Sequence, residues 1–171
     1  MKRPELEHIL RAAGSITGCD EMVVLGSQAI LASFPDAPES MLVSIEADIY
    51  PLARPEMADL IDGSIGELSP FHKTFGYHAH GVGPETAVLP KNWRTRLVKL
   101  ESSATGGCIG FCLSPLDLAL GKLAAGREKD FEFVQAMIKH EMVQTSAMDS
   151  LLHEMPESYV ETLRGRIARC S

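Results

Sequence analysis

The chain has little that would place it in a membrane, in a disulfide-stapled scaffold or around a nucleic-acid duplex. No apolar run approaches the roughly 18–20 residues that a membrane span needs, so no membrane association is expected. Met1 to Gly14 is charged and amphipathic, unlike a secretory signal, which points to a cytoplasmic protein. The four cysteines, Cys19, Cys108, Cys112 and Cys170, include no CxxC pair. They read as free thiols rather than as a zinc or disulfide framework. Positive charge is also short, with 16 Lys and Arg against 23 Asp and Glu, a net charge of −7. Proteins that wrap nucleic acid usually carry a basic face or balance, so non-specific duplex DNA binding is not expected. A local patch such as Arg94, Arg96 and Lys99 still suits a small tRNA-type contact. A Gly-x-Ser-x-Gly elbow, a Walker loop and a dinucleotide glycine fingerprint are all missing. So are internal repeats and low-complexity tracts.

What is there suits a folded domain. At 171 residues, 45 % hydrophobic and 23 % charged, the chain can bury a core without staples and reads as one domain over 1–171. Pro4 to Ala13 predicts a helix with Leu6, Ile9, Leu10 and Ala13 on one face, stopped by Gly14. Met22 to Leu25 predicts a short buried strand, Ser27 to Phe34 a helix, and Met41 to Tyr50 a second strand ended by Pro51. A helix opening at Arg54-Pro55-Glu56 carries Met57, Leu60 and Ile61, and the segment from Gly63 to Gly76 reads as irregular. Tyr77 to Val82 predicts a third strand; Leu97 to Leu100 and Cys108 to Leu113 predict a hairpin. Ser114 caps a helix running to Ala125, with Pro115 in its first turn and Asp117 placed to favour the helix dipole. Further helices are expected over 129–143, with a stripe of Phe133, Ala136, Met137 and His140, and over 145–153 and 157–168. Alternation early and helices late predict an α/β (α+β) fold, a mixed sheet covered by helices. A core of about 20–113 then precedes a helical C-terminal part of about 114–171.

Two stretches concentrate the chemistry. Met22-Val23-Val24-Leu25-Gly26-Ser27 is an apolar run that meets Gly-Ser and turns into a helix-forming segment. A helix opened there presents N–H groups suited to a phosphate. Ser44-Ile45-Glu46-Ala47-Asp48-Ile49-Tyr50 carries acids two apart on a strand, hence on one face. Glu46 and Asp48 can therefore converge on one metal ion. An anion cradle beside paired carboxylates is what metal-nucleotide chemistry needs.

A strand, Gly-Ser, a helix and a strand with acid-x-acid resemble the signature of the nucleotidyltransferase superfamily. The chain looks, more narrowly, like small bacterial nucleotidyltransferase-like proteins related to abortive-infection toxin nucleotidyltransferases. Gly81 to Pro90 with Trp93 and Arg96, and Ser114 to Leu118 running on to Lys122 and to Gly126-Arg127-Glu128-Lys129-Asp130, add to that resemblance. It implies a mixed sheet, an NTP substrate, and Mg²⁺ or Mn²⁺ as cofactor. It also implies that Glu46 and Asp48 hold the metal, that Gly26 and Ser27 take the triphosphate, and that Lys122, with Arg127, counters phosphate charge. The third acid of the pattern falls in Tyr77-His78-Ala79-His80-Gly81-Val82, where this chain has His80. Histidine suits manganese, iron or zinc better than magnesium.

Two readings follow. One is a metal-dependent nucleotidyltransferase that moves a nucleoside monophosphate from an NTP to a protein, tRNA or small acceptor, with a toxin–antitoxin role and an antitoxin partner in view. The alternative is a non-catalytic module that binds a nucleotide or protein through a degenerate site, which His80 favours. Against both stands the plain view that Glu46 and Asp48 are acids on the solvated side of an edge strand, and that Lys122, Arg127 and Lys129 lie on a solvated helix face.

Overall fold

The computed structural model describes residues 1–170 and divides into two compact units. The first comprises Met1–Thr86 and Leu97–Cys112, the second Ala87–Arg96 and the chain from Leu113 onward. Among the described residues, no helix is long and apolar enough to cross a membrane.

All five strands lie in the first unit: β1 (Glu21–Val24), β2 (Glu46–Pro51), β3 (His78–Gly81), β4 (Val98–Leu100) and β5 (Ile109–Cys112). They form one mixed sheet in the order β3-β2-β1-β5-β4. β1 pairs antiparallel with β2 and parallel with β5, β2 pairs parallel with β3, and β4 and β5 form the expected antiparallel pair. Met22, Val23 and Val24 in the central strand are fully buried. A strand covered on both faces reads as a continuous apolar run rather than an alternation.

Helix α1 (Arg3–Thr17) buries Leu6, Ile9, Leu10 and Ala13, as the periodicity predicts, but Gly14 does not stop it. Gly14 instead lets the helix approach Cys108, the residue before β5, since a Cβ there would lie 3.1 Å from Cβ of Cys108. The helix ends at Gly18, whose φ of 65° is the left-handed cap that glycine adopts without cost. α1 also crosses Gly110, where a Cβ would meet Leu10 at 2.7 Å. Helix α3 (Ala58–Ile65) lies so close to Gly81 that a Cβ there would fall 2.0 Å from the Ala58 carbonyl. The register puts Gly110, Val24, Ile49 and Gly81 on one face of the sheet, the face that α1 and α3 cover. Glu46, Asp48, His78 and His80 stand on the other.

Three predicted elements differ. Met41 to Tyr50 is not one strand: a 3-10 turn occupies Glu39–Met41 and pairing begins only at Glu46, with Val43 and Ile45 exposed. The single helix over 27–34 is a 3-10 turn, Ser27–Ala29, followed by the one-turn α2 (Ile30–Ser33). The segment from Gly63 to Gly76 is regular, because α3 runs on to Ile65 and α4 (Pro70–Phe75) follows. Ser69 caps α4 by accepting from the His72 amide, a signal that sequence periodicity alone passes over in so short a helix.

The second unit is helical: α5 (Pro115–Ala125), α6 (Glu128–Lys139), α7 (Thr145–Leu151) and α8 (Glu157–Cys170). Ser114 caps α5 as expected, accepting from the Asp117 amide at 3.1 Å. Arg166 of α8 donates to the carbonyls of Leu123 and Ala124, two acceptors that the end of α5 leaves without helical partners. The buried face of α6 is Asp130, Phe131, Val134 and Met137. The predicted stripe shares only Met137 with it. Packing against α5 and α8 selects that side, and the exposed His140 caps the helix end.

Asp117 stands in the first turn of α5, as expected, and is fully buried there, where Arg96 grips it with Nε and Nη2. The second arm of Arg96 reaches Glu154 at 3.1 Å. These carboxylates, acting through hydrogen bonding to Asp117 above all, hold the Arg96 guanidinium above its usual pKa. Arg96 is therefore committed to two acids, and Lys99 is paired with Glu101.

Candidate metal centre

Parallel pairing of β2 with β3 sets Glu46 opposite His78 and Asp48 opposite His80. Residues two apart share a face, so the pairing draws a square of two carboxylates and two imidazoles on the face away from α1 and α3. β2 is an internal strand between β3 and β1, not the solvated edge that the plain view of these acids requires.

Within the square, His80 Nδ1 lies 3.1 Å from Asp48 Oδ1 and 3.7 Å from Glu46 Oε1. Glu46, Asp48 and His80 each offer one ligating atom within 4.8 Å of the others. Metal bonds from nitrogen or oxygen run about 2.0–2.2 Å, so two ligands of one ion stand roughly 3–4 Å apart. The three side chains meet that requirement with small adjustments. They are also reachable, with exposures of 44 % for Glu46, 29 % for Asp48 and 51 % for His80. Two carboxylates with one imidazole form a donor set suited to a divalent metal ion.

Gly26 lies against this group, and it has a function that the sequence does not reveal. The Asp48 carboxylate packs directly on it: a Cβ at position 26 would fall 2.2 Å from Oδ2. The backbone there is extended, with φ of −75°, so glycine is needed for space and not for conformation. The strand-to-turn junction is further tied by the Leu25 amide donating to the Asp48 carbonyl at 3.0 Å. Gln28, buried at the start of the same turn, donates to the Ser44 carbonyl at 3.1 Å.

His78, two residues before His80, shares its face of β3. The structure buries it and brings Nε2 to 3.3 Å from Glu46 Oε2. The alternating acids of 46–48 and histidines of 78–80 were the available signal; their register was not.

Lys122 and Arg127 belong to the second unit. Both converge on Asp130, fully buried at the start of α6: Lys122 Nζ at 3.4 Å and Arg127 Nε at 2.7 Å. The Lys122 ammonium also sits over the Phe133 ring, 4.5 Å from its centroid. Burial alone would raise the Asp130 carboxyl, but the Arg127 hydrogen bond and the charges of Lys122 and Arg127 hold it below the usual range. Trp93 is half-buried and carries the Arg94 guanidinium over its ring at 5.3 Å.

No curated protein and no solved structure matches the chain. Residues 5–169 match the family described as "Nucleotidyltransferase of unknown function (DUF6036)". The mixed sheet and the helical C-terminal part agree with that match, and the chain belongs to this nucleotidyltransferase family.

Proposed function

We propose that the protein is a metal-dependent nucleotidyltransferase that moves a nucleoside monophosphate from an NTP to an acceptor, releasing pyrophosphate. The observation that carries this reading is the convergence of Glu46, Asp48 and His80 within 4.8 Å in a member of a nucleotidyltransferase family. Glu46, Asp48 and His80 hold the divalent ion, manganese in preference to magnesium. Bound there, the ion neutralises charge on the transferring phosphoryl group and orients the attacking and leaving oxygens. Gly26 lets the Asp48 carboxylate stand against the chain, and Gly26 with Ser27 receives the triphosphate. Such transfer asks the protein for positioning and charge compensation more than for covalent chemistry. The reading asks nothing of Lys122 and Arg127, which Asp130 already engages. A protein or tRNA acceptor, and a place as the toxin of a toxin–antitoxin pair in the cytoplasm, complete the proposal.

A second reading, a nucleotide- or protein-binding module without catalysis, is favoured by His80. It stands where the superfamily pattern expects an acid, and it already hydrogen-bonds Asp48.

Incubation with NTP labelled at the α-phosphate, Mg²⁺ or Mn²⁺ and a cell extract separates the two. Label moving to an acceptor, and lost in Asp48→Ala, supports the enzyme. No transfer, but an NTP-dependent rise in melting temperature, supports the module. Neither response discards both.

A further inference from the structure

We infer that His78 is a positioning residue for the metal centre, holding Glu46 so that one chosen carboxylate oxygen faces Asp48 and His80. The inference rests on the metal-centre reading above and assigns a function to a side chain outside the three ligands.

The Glu46 carboxylate is divided between two partners. Oε2 lies 3.3 Å from His78 Nε2, whereas Oε1 lies 3.7 Å from His80 Nδ1. An ionised carboxylate can only accept, so the Nε2 proton of His78 belongs to the first contact. That leaves Oε1 as the oxygen turned toward Asp48 and His80. His78 is held in turn: its ring lies 4.5 Å from that of His72, and its side chain is only 5 % exposed. Glu46 itself is 44 % exposed and would otherwise sample several rotamers. A buried donor on one oxygen removes that freedom, as outer partners do for the ligands of many metal sites.

A second observation separates this from ordinary core packing. The other ring nitrogen of His78, Nδ1, is buried and has no hydrogen-bond partner among the described residues. Burying a polar atom without a partner is unfavourable, and a phenylalanine or leucine would fill this place without that penalty. Packing therefore gives no reason for a histidine here, and the Nε2 contact to Glu46 does.

The test is Mn²⁺ affinity, measured by calorimetry on metal-stripped protein, with melting temperature recorded in EDTA. His78→Phe keeps a ring against His72 but loses the donor, so affinity should fall about 10–100-fold while the melting temperature holds or rises. His78→Gln restores an N–H and should bind within about threefold of the wild type. In a Glu46→Ala background, His78→Phe should change Mn²⁺ affinity no further, which a general packing role would not produce. Should His78→Phe not fold, His78→Leu replaces it in the same comparisons. Wild-type affinity in His78→Phe, or an undiminished loss in the Glu46→Ala background, overturns the inference while leaving the metal centre in place. A wild-type protein that binds no Mn²⁺ overturns both.

Discussion

A side-chain carbon on Gly26 would lie 2.2 Å from Oδ2, 3.1 Å from Cγ and 3.3 Å from Cβ of Asp48. The clash is with the carboxylate oxygen, and Cγ and Cβ behind it are already tightly placed, so the Asp48 carboxylate would have to turn from its place beside His80. Because the Gly26 backbone is in a conformation open to any residue, Gly26→Ala should leave the fold intact and injure the site. We expect Mn²⁺ affinity to drop about 10–100-fold, with a melting temperature within a few degrees of the wild type. Calorimetry and thermal denaturation on the same preparation check both halves.

If Glu46, Asp48 and His80 hold a metal as proposed, His80 should set the choice of ion. A centre of two carboxylates and an imidazole prefers manganese to magnesium, and three carboxylates favour magnesium more. The ratio of Mn²⁺ to Mg²⁺ affinity should therefore fall in His80→Asp. If nucleotidyl transfer is observed, its metal preference should follow the same direction.

Asp117 is fully buried against Arg96, whose other arm holds Glu154. Removing Asp117 breaks its charged hydrogen bonds but leaves Arg96 with Glu154, so the cost should be that of hydrogen bonds to a charged group, about 1.5–3 kcal/mol. Asp117→Ala should lose stability on that scale in urea denaturation. Arg96→Met combined with Asp117→Leu should recover part of it, because both charges leave together.

Asp130 gives a pH signature. Its carboxyl is depressed in the folded protein despite burial, by the Arg127 hydrogen bond and the Lys122 and Arg127 charges. A depressed folded pKa contributes stability above the unfolded value, near 3.9, and loses it as pH falls through the folded value. The stability difference between wild type and Asp130→Asn should be constant at neutral pH and shrink below about pH 4. Denaturation curves collected from pH 7 to pH 3 test this.

The thiols divide by burial. Burial pushes Cys112 up to about 12 and Cys108 to about 11, so neither carries thiolate near neutrality. Cys19 is only half-buried. A thiol-specific reagent at pH 8 should modify Cys19 first and reach Cys112 only on unfolding, which mass spectrometry of partly labelled protein resolves.

Some of this was settled by short-range pattern. Acids two apart had to share a strand face, whatever that strand paired with. Ser114 before Pro115 had to open a helix, because its hydroxyl satisfies the free Asp117 amide locally. Periodicity placed Leu6, Ile9 and Leu10 inside for the same reason. Each depends only on neighbours along the chain. The rest depended on partners far away in sequence. Parallel pairing in one register, and not a slip by one residue that would turn every side chain over, set His80 against Asp48 and His78 against Glu46. Asp117 had its place in the first turn of α5 from its neighbours, but only the fold brought Arg96, twenty-one residues earlier, against it. The stripe of α6 turned to the side that α5 and α8 cover. Gly14 looked like a stop and Gly26 like a turn; both, with Gly81, proved to be places where other parts of the chain come too close for a side chain. Local preference fixes which way a residue can face; only packing decides what it faces.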